Sequence, residues 1–325
     1  MLSLIRQRLR DGVETQSAFD RRSRAAYGVV IAELLFGSLM FFVSGFRVDP
    51  NLGVGPPLWA ALALVSGWLA RRVGHGQIAA GLETTGLVYA QGFISFLVIY
   101  PLMALPLPLI DAYAASADAL LGFHWPAFAE LFRFHDNATW GMKIVYRSFS
   151  WQPAVVAIAL CAASRIDRAW KFVTAAIFGL CITAFVGTLL PSLPAISHFG
   201  VKPWPLLETV RPDAPAYVID QLKSGARFID QPMLAGVIGF PSFHATSAVL
   251  FAWALFPIRS LRWPAVFFNI AMLVATVVMG AHYLVDVIAG CAIAIVSILL
   301  AKKAVSWGAA ARPIERLRAL EEPSG

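Results

Sequence analysis

Runs of apolar residues close to the length of a bilayer's hydrocarbon core recur along this chain. A helix needs about 20 such residues to cross that core, and the pattern supplies eight candidates. They are Tyr27–Phe46, Pro57–Ala70, Gly86–Leu105, Trp151–Ala163, Trp170–Leu190, Pro241–Phe256, Trp263–Gly280 and His282–Ala301. The second and fourth are short, so six to eight spans fit the pattern. Composition agrees: 58% of residues are apolar and 14% are charged, against about 25% charged in ordinary soluble domains. Mean hydropathy is +0.69. A water-soluble globule cannot cover itself with so few charges, and a disordered chain needs the opposite composition. Cys161, Cys181 and Cys291 all lie inside apolar runs at no metal spacing, which reads as buried thiols rather than a disulfide framework. The expected fold is an all-α polytopic transmembrane bundle of about eight spans.

Charge placement orients the bundle. With both termini on the cytoplasmic side, 18 of the 26 Lys and Arg residues fall inside and 8 outside, as the positive-inside rule requires. Net charge is +7, but there is no basic stripe interleaved with aromatics, so nucleic acid is not an expected partner. Residues 1–26 carry six Arg with Leu2, Ile5, Leu9 and Val13 at helical spacing. This reads as a basic amphipathic arm on an anionic leaflet or as a solvated arm. Residues 27–303 form a single membrane domain, with a catalytic core at about 140–301, and 304–325 form a cytoplasmic tail. Two outer segments are long: Pro106–Ser150, where Asp111 and Asp118 sit among apolar residues in one or two interfacial helices, and the Pro-rich Pro191–Phe240.

Two polar clusters stand out because a bilayer makes them costly. Pro241-Ser242-Phe243-His244 opens the sixth span, and His282-Tyr283-Leu284-Val285-Asp286 opens the eighth. An orientation fixed from Lys and Arg alone puts both histidines on the same outer face. His282 and Asp286, four apart, share a helix face. A hydrogen bond between them would satisfy the carboxylate and leave the other ring nitrogen free as nucleophile or base. A helix start at Pro241-Ser242 offers free N–H groups and a positive dipole end, a site suited to phosphate. His244, just inside that turn, is placed to protonate a departing oxygen. The bland alternatives are a packed histidine, a simple Ser cap, and a structural or half-metal HxxxD pair. His124, His135 and His198 add no ligand spacing, so no metal and no cofactor is expected.

In order, Pro241-Ser242-x-His244 and, 38 residues later, His282-x-x-x-Asp286 resemble the type 2 phosphatidic acid phosphatase superfamily. They look most like its inositol phosphorylceramide (aureobasidin-resistance) and sphingomyelin synthase branch. The likeness is strong over Phe240–Gly290 and looser over Leu105–Ala195, where DALLGFHWPAF and GTLLPSLPA look like bacterial members. The superfamily pattern differs in three places. Phe243 replaces a Gly, Ala275 and Thr276 replace Ser-Arg, and Arg211-Pro212 is separated from its upstream Lys202 by eight intervening residues instead of six. The resemblance implies a lipid phosphatase or phosphotransferase working on lipid phosphates or phospholipid head groups. In that mechanism His282 is the nucleophile that becomes a phosphohistidine, Asp286 orients it, and His244 is the acid and then the base. Ser242 and the backbone at Phe243 would hold the phosphate oxygens. Arg211 and Lys202, then Arg227, Lys143 and Arg147, are the candidate cations. The implied setting is a bacterial inner membrane with the site facing the periplasm or exterior, and the partners are a lipid substrate and the bilayer.

Two other classes remain open. A transporter would place polar residues along a path through the midplane, whereas these gather at one face. A non-catalytic lipid-phosphate binder on the same fold would leave Asp286 no role beyond packing.

Overall fold

The computed structural model is a helical bundle, 75% helical. It describes residues 2–310 apart from 54, 134, 209–210 and 280–281, and side chains over 22–306 apart from those positions and 56, 205 and 206. The bundle begins with α1 (Leu2–Val43), α2 (Gly55–Arg72) and α3 (Gly76–Met103). Short helices α4 (Asp111–Leu120), α5 (Trp125–Arg133) and α6 (Asp136–Arg147) lead into α7 (Gln152–Ala162) and α8 (Ile166–Leu189). Single-turn α9 (Ala195–His198) and α10 (Pro205–Glu208) precede α11 (Ala214–Lys223), and α12 (Phe243–Leu255), α13 (Arg262–Val278) and α14 (Leu284–Ala310) complete the fold. Among described residues the extended pairing is one parallel contact of Arg47–Val48 (β1) with Phe228–Ile229 (β2).

Among the described residues, four helical stretches are long and apolar enough to cross a membrane: Arg22–Val43 within α1, α3, α8, and Leu284–Ser306 within α14. A fifth arises if α6 and α7, bent by 63° across Ser148–Ser150, count as one broken span. The expected count of about eight is therefore met only in part. Segments 241–256 and 263–280 form α12 and α13, of 13 and 17 residues, about 20 and 26 Å at 1.5 Å per residue. Segment 57–70 lies in α2, which is not among the long apolar stretches. The backbone of α1 runs unbroken from Leu2, so the N-terminal arm continues into the first apolar segment. Its side chains up to 21, and the tail beyond 310, lie outside the described residues.

The helix starts follow from local chemistry. α3 begins at Gly76, ten residues before the apolar run at Gly86. The intervening charge is neutralised: Glu83, fully buried, receives Arg71 at 2.9 Å on one oxygen and the Tyr27 hydroxyl at 2.7 Å on the other. One carboxylate thus ties α1, α2 and α3 together. Gly67 allows the close approach, because a Cβ there would lie 2.6 Å from Glu83 Cγ. At the centre, α8 carries fully buried Trp170, Phe172 and Val173. Gly179 brings it near α12 and α14, since a Cβ there would meet Thr246 Cγ2 at 3.0 Å and Ser297 Oγ at 3.4 Å. Small residues let helices approach where apolar lipid gives no hydrophobic drive.

The long segments between α3 and α7 and between α8 and α12 form a cap over one end of the bundle. Trp125 of α5 is buried and donates to the Val277 carbonyl at 3.2 Å. Lys223 of α11 donates to the Leu107 carbonyl at 2.6 Å, and the Tyr100 hydroxyl to the Ala235 carbonyl at 2.9 Å. Replacing Gly67 by Val should cost about 1–3 kcal/mol through overpacking and lower the thermal midpoint in detergent. An unchanged midpoint would mean that α2 and α3 do not approach this closely.

Candidate active site

Two helix starts meet under the cap. Ser242 caps α12, its Oγ accepting the Ala245 N–H at 3.2 Å. Its own N–H donates to the Asp286 carbonyl at 3.0 Å, so the start of α12 is joined by backbone to the first turn of α14. Gly290, one turn further along α14, makes the contact possible: a Cβ there would lie 2.3 Å from the Ser242 carbonyl oxygen. Thr246, fully buried, has its hydroxyl within reach of the Gly290 carbonyl (2.9 Å) and the Ser242 carbonyl (3.1 Å). The helix begins two residues later than the expected start at Pro241, at Phe243. Among described residues no protein acceptor takes the N–H of Phe243 or His244, which leaves the first turn of α12 free to meet an anion.

His282 differs from expectation in one respect. It lies just before α14 rather than on it, because the helix opens at Leu284. Asp286 is the reason: its Oδ2 accepts the Tyr283 N–H at 2.9 Å and so acts on the residue next to the histidine. The same oxygen lies 3.3 Å from His282 Nδ1, while the Gly239 carbonyl lies closer, at 2.8 Å. Both neighbours of Nδ1 are acceptors. In the neutral ring that nitrogen therefore carries the proton, and the lone pair belongs to Nε2. The tautomer expected from a carboxylate alone is held by a backbone carbonyl and a carboxylate together.

The imidazoles of His244 and His282 are 6.0 Å apart, centroid to centroid, and inclined at 60°. His244 is stacked on Tyr146 at 4.4 Å with the planes 10° apart, and Phe149 lies 4.2 Å away, which holds its ring in place. Both histidines line a cavity of about 690 Å³, together with Phe243 and Arg211. Arg211 is the only cationic side chain on that wall among the described residues. Its backbone sits at φ 50°, a left-handed conformation costing a non-glycine residue about 1–3 kcal/mol. Lys202 does not line the cavity. Arg227 points elsewhere, donating to the Leu222 and Ala226 carbonyls with its guanidinium over the Phe46 ring. Lys143 and Arg147 on α6 are off the cavity wall as well. No group of three His, Cys, Asp or Glu side chains suited to a metal occurs among the described residues.

The family pattern of the PAP2 superfamily matches residues 113–300, a stretch that holds both histidines, Asp286, Ser242 and Arg211. The chain belongs to the PAP2 superfamily. No curated protein and no solved structure matches it at comparable significance.

Within this PAP2 chain, residues that sequence reading left without a role support the site. Asp118 on α4 is buried, and its two oxygens accept the N–H groups of Leu284 and Val285 at 2.9 and 2.8 Å. A carboxylate from a distant helix thus caps α14 where His282 enters it. Burial pushes the Asp118 pKa up, and the two N–H donors pull it back. Asp111, at the start of α4, accepts the Tyr283 hydroxyl and the Leu193 N–H, both at 2.9 Å. The only signal for either was a carboxylate set in an apolar run, which says that a donor is needed but not which one. Asp118→Ala should destabilise the fold by about 1–2 kcal/mol, with Asp118→Asn milder. Equal thermal midpoints for all three proteins would refute the cap.

Proposed function

We propose that this chain is a membrane phosphoric-ester enzyme that works on a lipid phosphate or phospholipid head group through a His/His/Asp mechanism without a metal. One observation carries the reading. Two imidazoles about an oxyanion's width apart share a cavity with a single guanidinium, and one of them has its lone pair fixed on Nε2.

In this mechanism the phosphate lies against the first turn of α12, with the Phe243 and His244 N–H groups and Arg211 on its non-bridging oxygens. Ser242 shapes that turn as its cap. His282 Nε2 attacks phosphorus, and as the N–P bond forms the bond to the leaving oxygen breaks. Protonated His244 gives its proton to that oxygen. Asp286 and the Gly239 carbonyl stabilise the positive charge on His282. A hydroxyl then loses its proton to His244 and attacks phosphorus, releasing His282. The acceptor is water in a phosphatase, or a lipid or polyol hydroxyl in a transferase. The substitutions at Phe243, Ala275 and Thr276 favour the branch resembling inositol phosphorylceramide and sphingomyelin synthases. Lys202 has no part in this scheme.

The lipid assignment is supported by a second cavity of about 370 Å³ that shares the wall of Phe93, Phe149, Leu180 and Phe243 with the first. Its lining is mostly apolar, which suits an acyl chain whose head group lies at the histidines. The tyrosine hydroxyl of Tyr89 bridges to the Ser150 carbonyl at 2.7 Å on its rim. In the topology we propose, α2, α7, α12 and α13 cross along with the longer helices, and α6 stays in the outer cap. This gives eight crossings, both termini in the cytoplasm, and the histidines at the outer face of a bacterial inner membrane. The basic residues are distributed as that topology requires.

Purified protein is expected to release or transfer phosphate from labelled lipid phosphates or phosphodiesters with EDTA present. His244→Ala should lose about 10²–10⁴-fold, and His282→Ala should fall to background while keeping the wild-type thermal midpoint. Separating free phosphate from new lipid assigns the acceptor. Activity that vanishes in EDTA and returns with zinc, or a folded His282→Ala protein with full turnover, would overturn the mechanism.

A further inference from the structure

A groove of about 570 Å³ lies between α12 and α13 toward the end of the bundle away from the histidines. On α12 it runs from Ala248 to Phe256, about 12 Å of helix, and on α13 it reaches from Val266 to Leu273. The walls are apolar except for two residues, Arg168 and Asn269. Flanking side chains Trp263, Phe267 and Ile270 are more than half exposed, as lipid-facing residues are. Each of the two polar residues carries an unmet demand. Asn269 is 3% exposed, and its amide N–H donates to the Ala265 carbonyl at 2.9 Å, yet its Oδ1 is buried with no partner. Arg168 lies over the Trp253 ring at 3.7 Å and donates through Nη2 to the Trp253 carbonyl, but its buried Nε–H has no acceptor. A buried polar group without a partner costs about 1–3 kcal/mol, so two on one groove wall point to an absent ligand.

The charges around the groove say what kind. Arg165, Arg259 and Arg262 occupy the same end of the bundle, and Arg262 is turned toward the groove's rim, its Nε donating to the Phe256 carbonyl at 2.8 Å. The nearby acid, Asp167, is already held by Lys171 at 2.6 Å and Arg22 at 3.4 Å. The rim is therefore net positive, and the floor below it is apolar. Basic pockets between membrane helices suit anionic head groups. An anionic head group that also bears hydroxyls supplies an acceptor for Arg168 and a donor for Asn269.

We propose that this groove binds one anionic, hydroxyl-bearing phospholipid of the phosphatidylglycerol kind from the leaflet opposite the histidines, phosphate at Arg168 and one tail between α12 and α13. The site is separate from the reaction cavity and does not depend on the proposed mechanism. Because α12 carries His244 at its far end, the lipid braces the helix that positions the acid.

The test uses the full chain in neutral detergent. Native mass spectrometry should find one phosphatidylglycerol bound in preference to phosphatidylcholine, and phosphatidylglycerol should raise the thermal midpoint. Ala252→Trp fills the groove while leaving Arg168 unsubstituted and should weaken binding at least about tenfold. Should that variant misfold, Ile270→Trp, at an exposed position on the facing α13 wall, has the same expected effect. Glycerol 3-phosphate alone should not reproduce the shift. Equal binding of the two lipids, undiminished binding in a folded groove-filled variant, or an equal response to glycerol 3-phosphate would overturn the proposal.

Discussion

A single backbone hydrogen bond, from the Ser242 N–H to the Asp286 carbonyl, sets the geometry of the site. It joins two helix starts, and helix starts are where a bundle has N–H groups left over. In apolar surroundings those groups must be satisfied locally or left for a ligand. At the start of α14 the N–H groups of Leu284 and Val285 are taken by Asp118, and that of the preceding Tyr283 by Asp286. Those of Phe243 and His244 on α12 have no protein acceptor among the described residues. The same joint therefore leaves one end closed and one open to an anion. Gly290 is the condition for it, because any side chain there would collide with the Ser242 carbonyl.

The buried carboxylates divide into two kinds of work. Glu83 is neutralised by Arg71 and Tyr27, and holds three helices together far from the cavity. Asp118, Asp111 and Asp286 instead accept N–H and O–H groups around Tyr283, the residue that follows His282. They fix where α14 begins and therefore where His282 stands. The cap helices are thus part of the site's support, even though they contribute few residues to the cavity wall. The segment that carries His282 between α13 and α14 would otherwise have only its own backbone to hold it.

Much of this was legible in the sequence, for identifiable reasons. Lys and Arg placement alone puts both histidines on one expected face, and the structure brings His244 and His282 to one cavity. Arg211-Pro212 was readable as a candidate, whereas Lys202 was named with it but lies off the wall. Nothing in residue type separates a loop cation aimed at a cavity from one aimed away. Helix limits were less legible. The apolar run puts the start of the third span at Gly86, whereas the helix begins at Gly76 and carries the buried Glu83. Its partner Arg71 sits on another helix, and a pattern of hydropathy cannot see such a pair. The same holds for Asp118, whose partners at Leu284 and Val285 are 166 and 167 residues away. The helical spacing of His282 and Asp286 gave the right neighbours by the wrong geometry. Their contact comes from a carboxylate reaching back to cap Tyr283.

Phe243 stands where the superfamily pattern has a glycine, and its position gives that substitution a physical sense. Its ring meets Phe149 edge-on, 5.8 Å between centroids with the planes 84° apart. Both side chains line the cavity at the histidines and the apolar cavity beside it. A glycine would leave the backbone N–H at the start of α12 unchanged but remove that shared wall. An anion at this helix start would need only the main chain at 243, while the side chain is free to partition polar from apolar space. A substrate with a charged head and an apolar tail fits a site divided in this way, with Phe243 on the wall of both compartments.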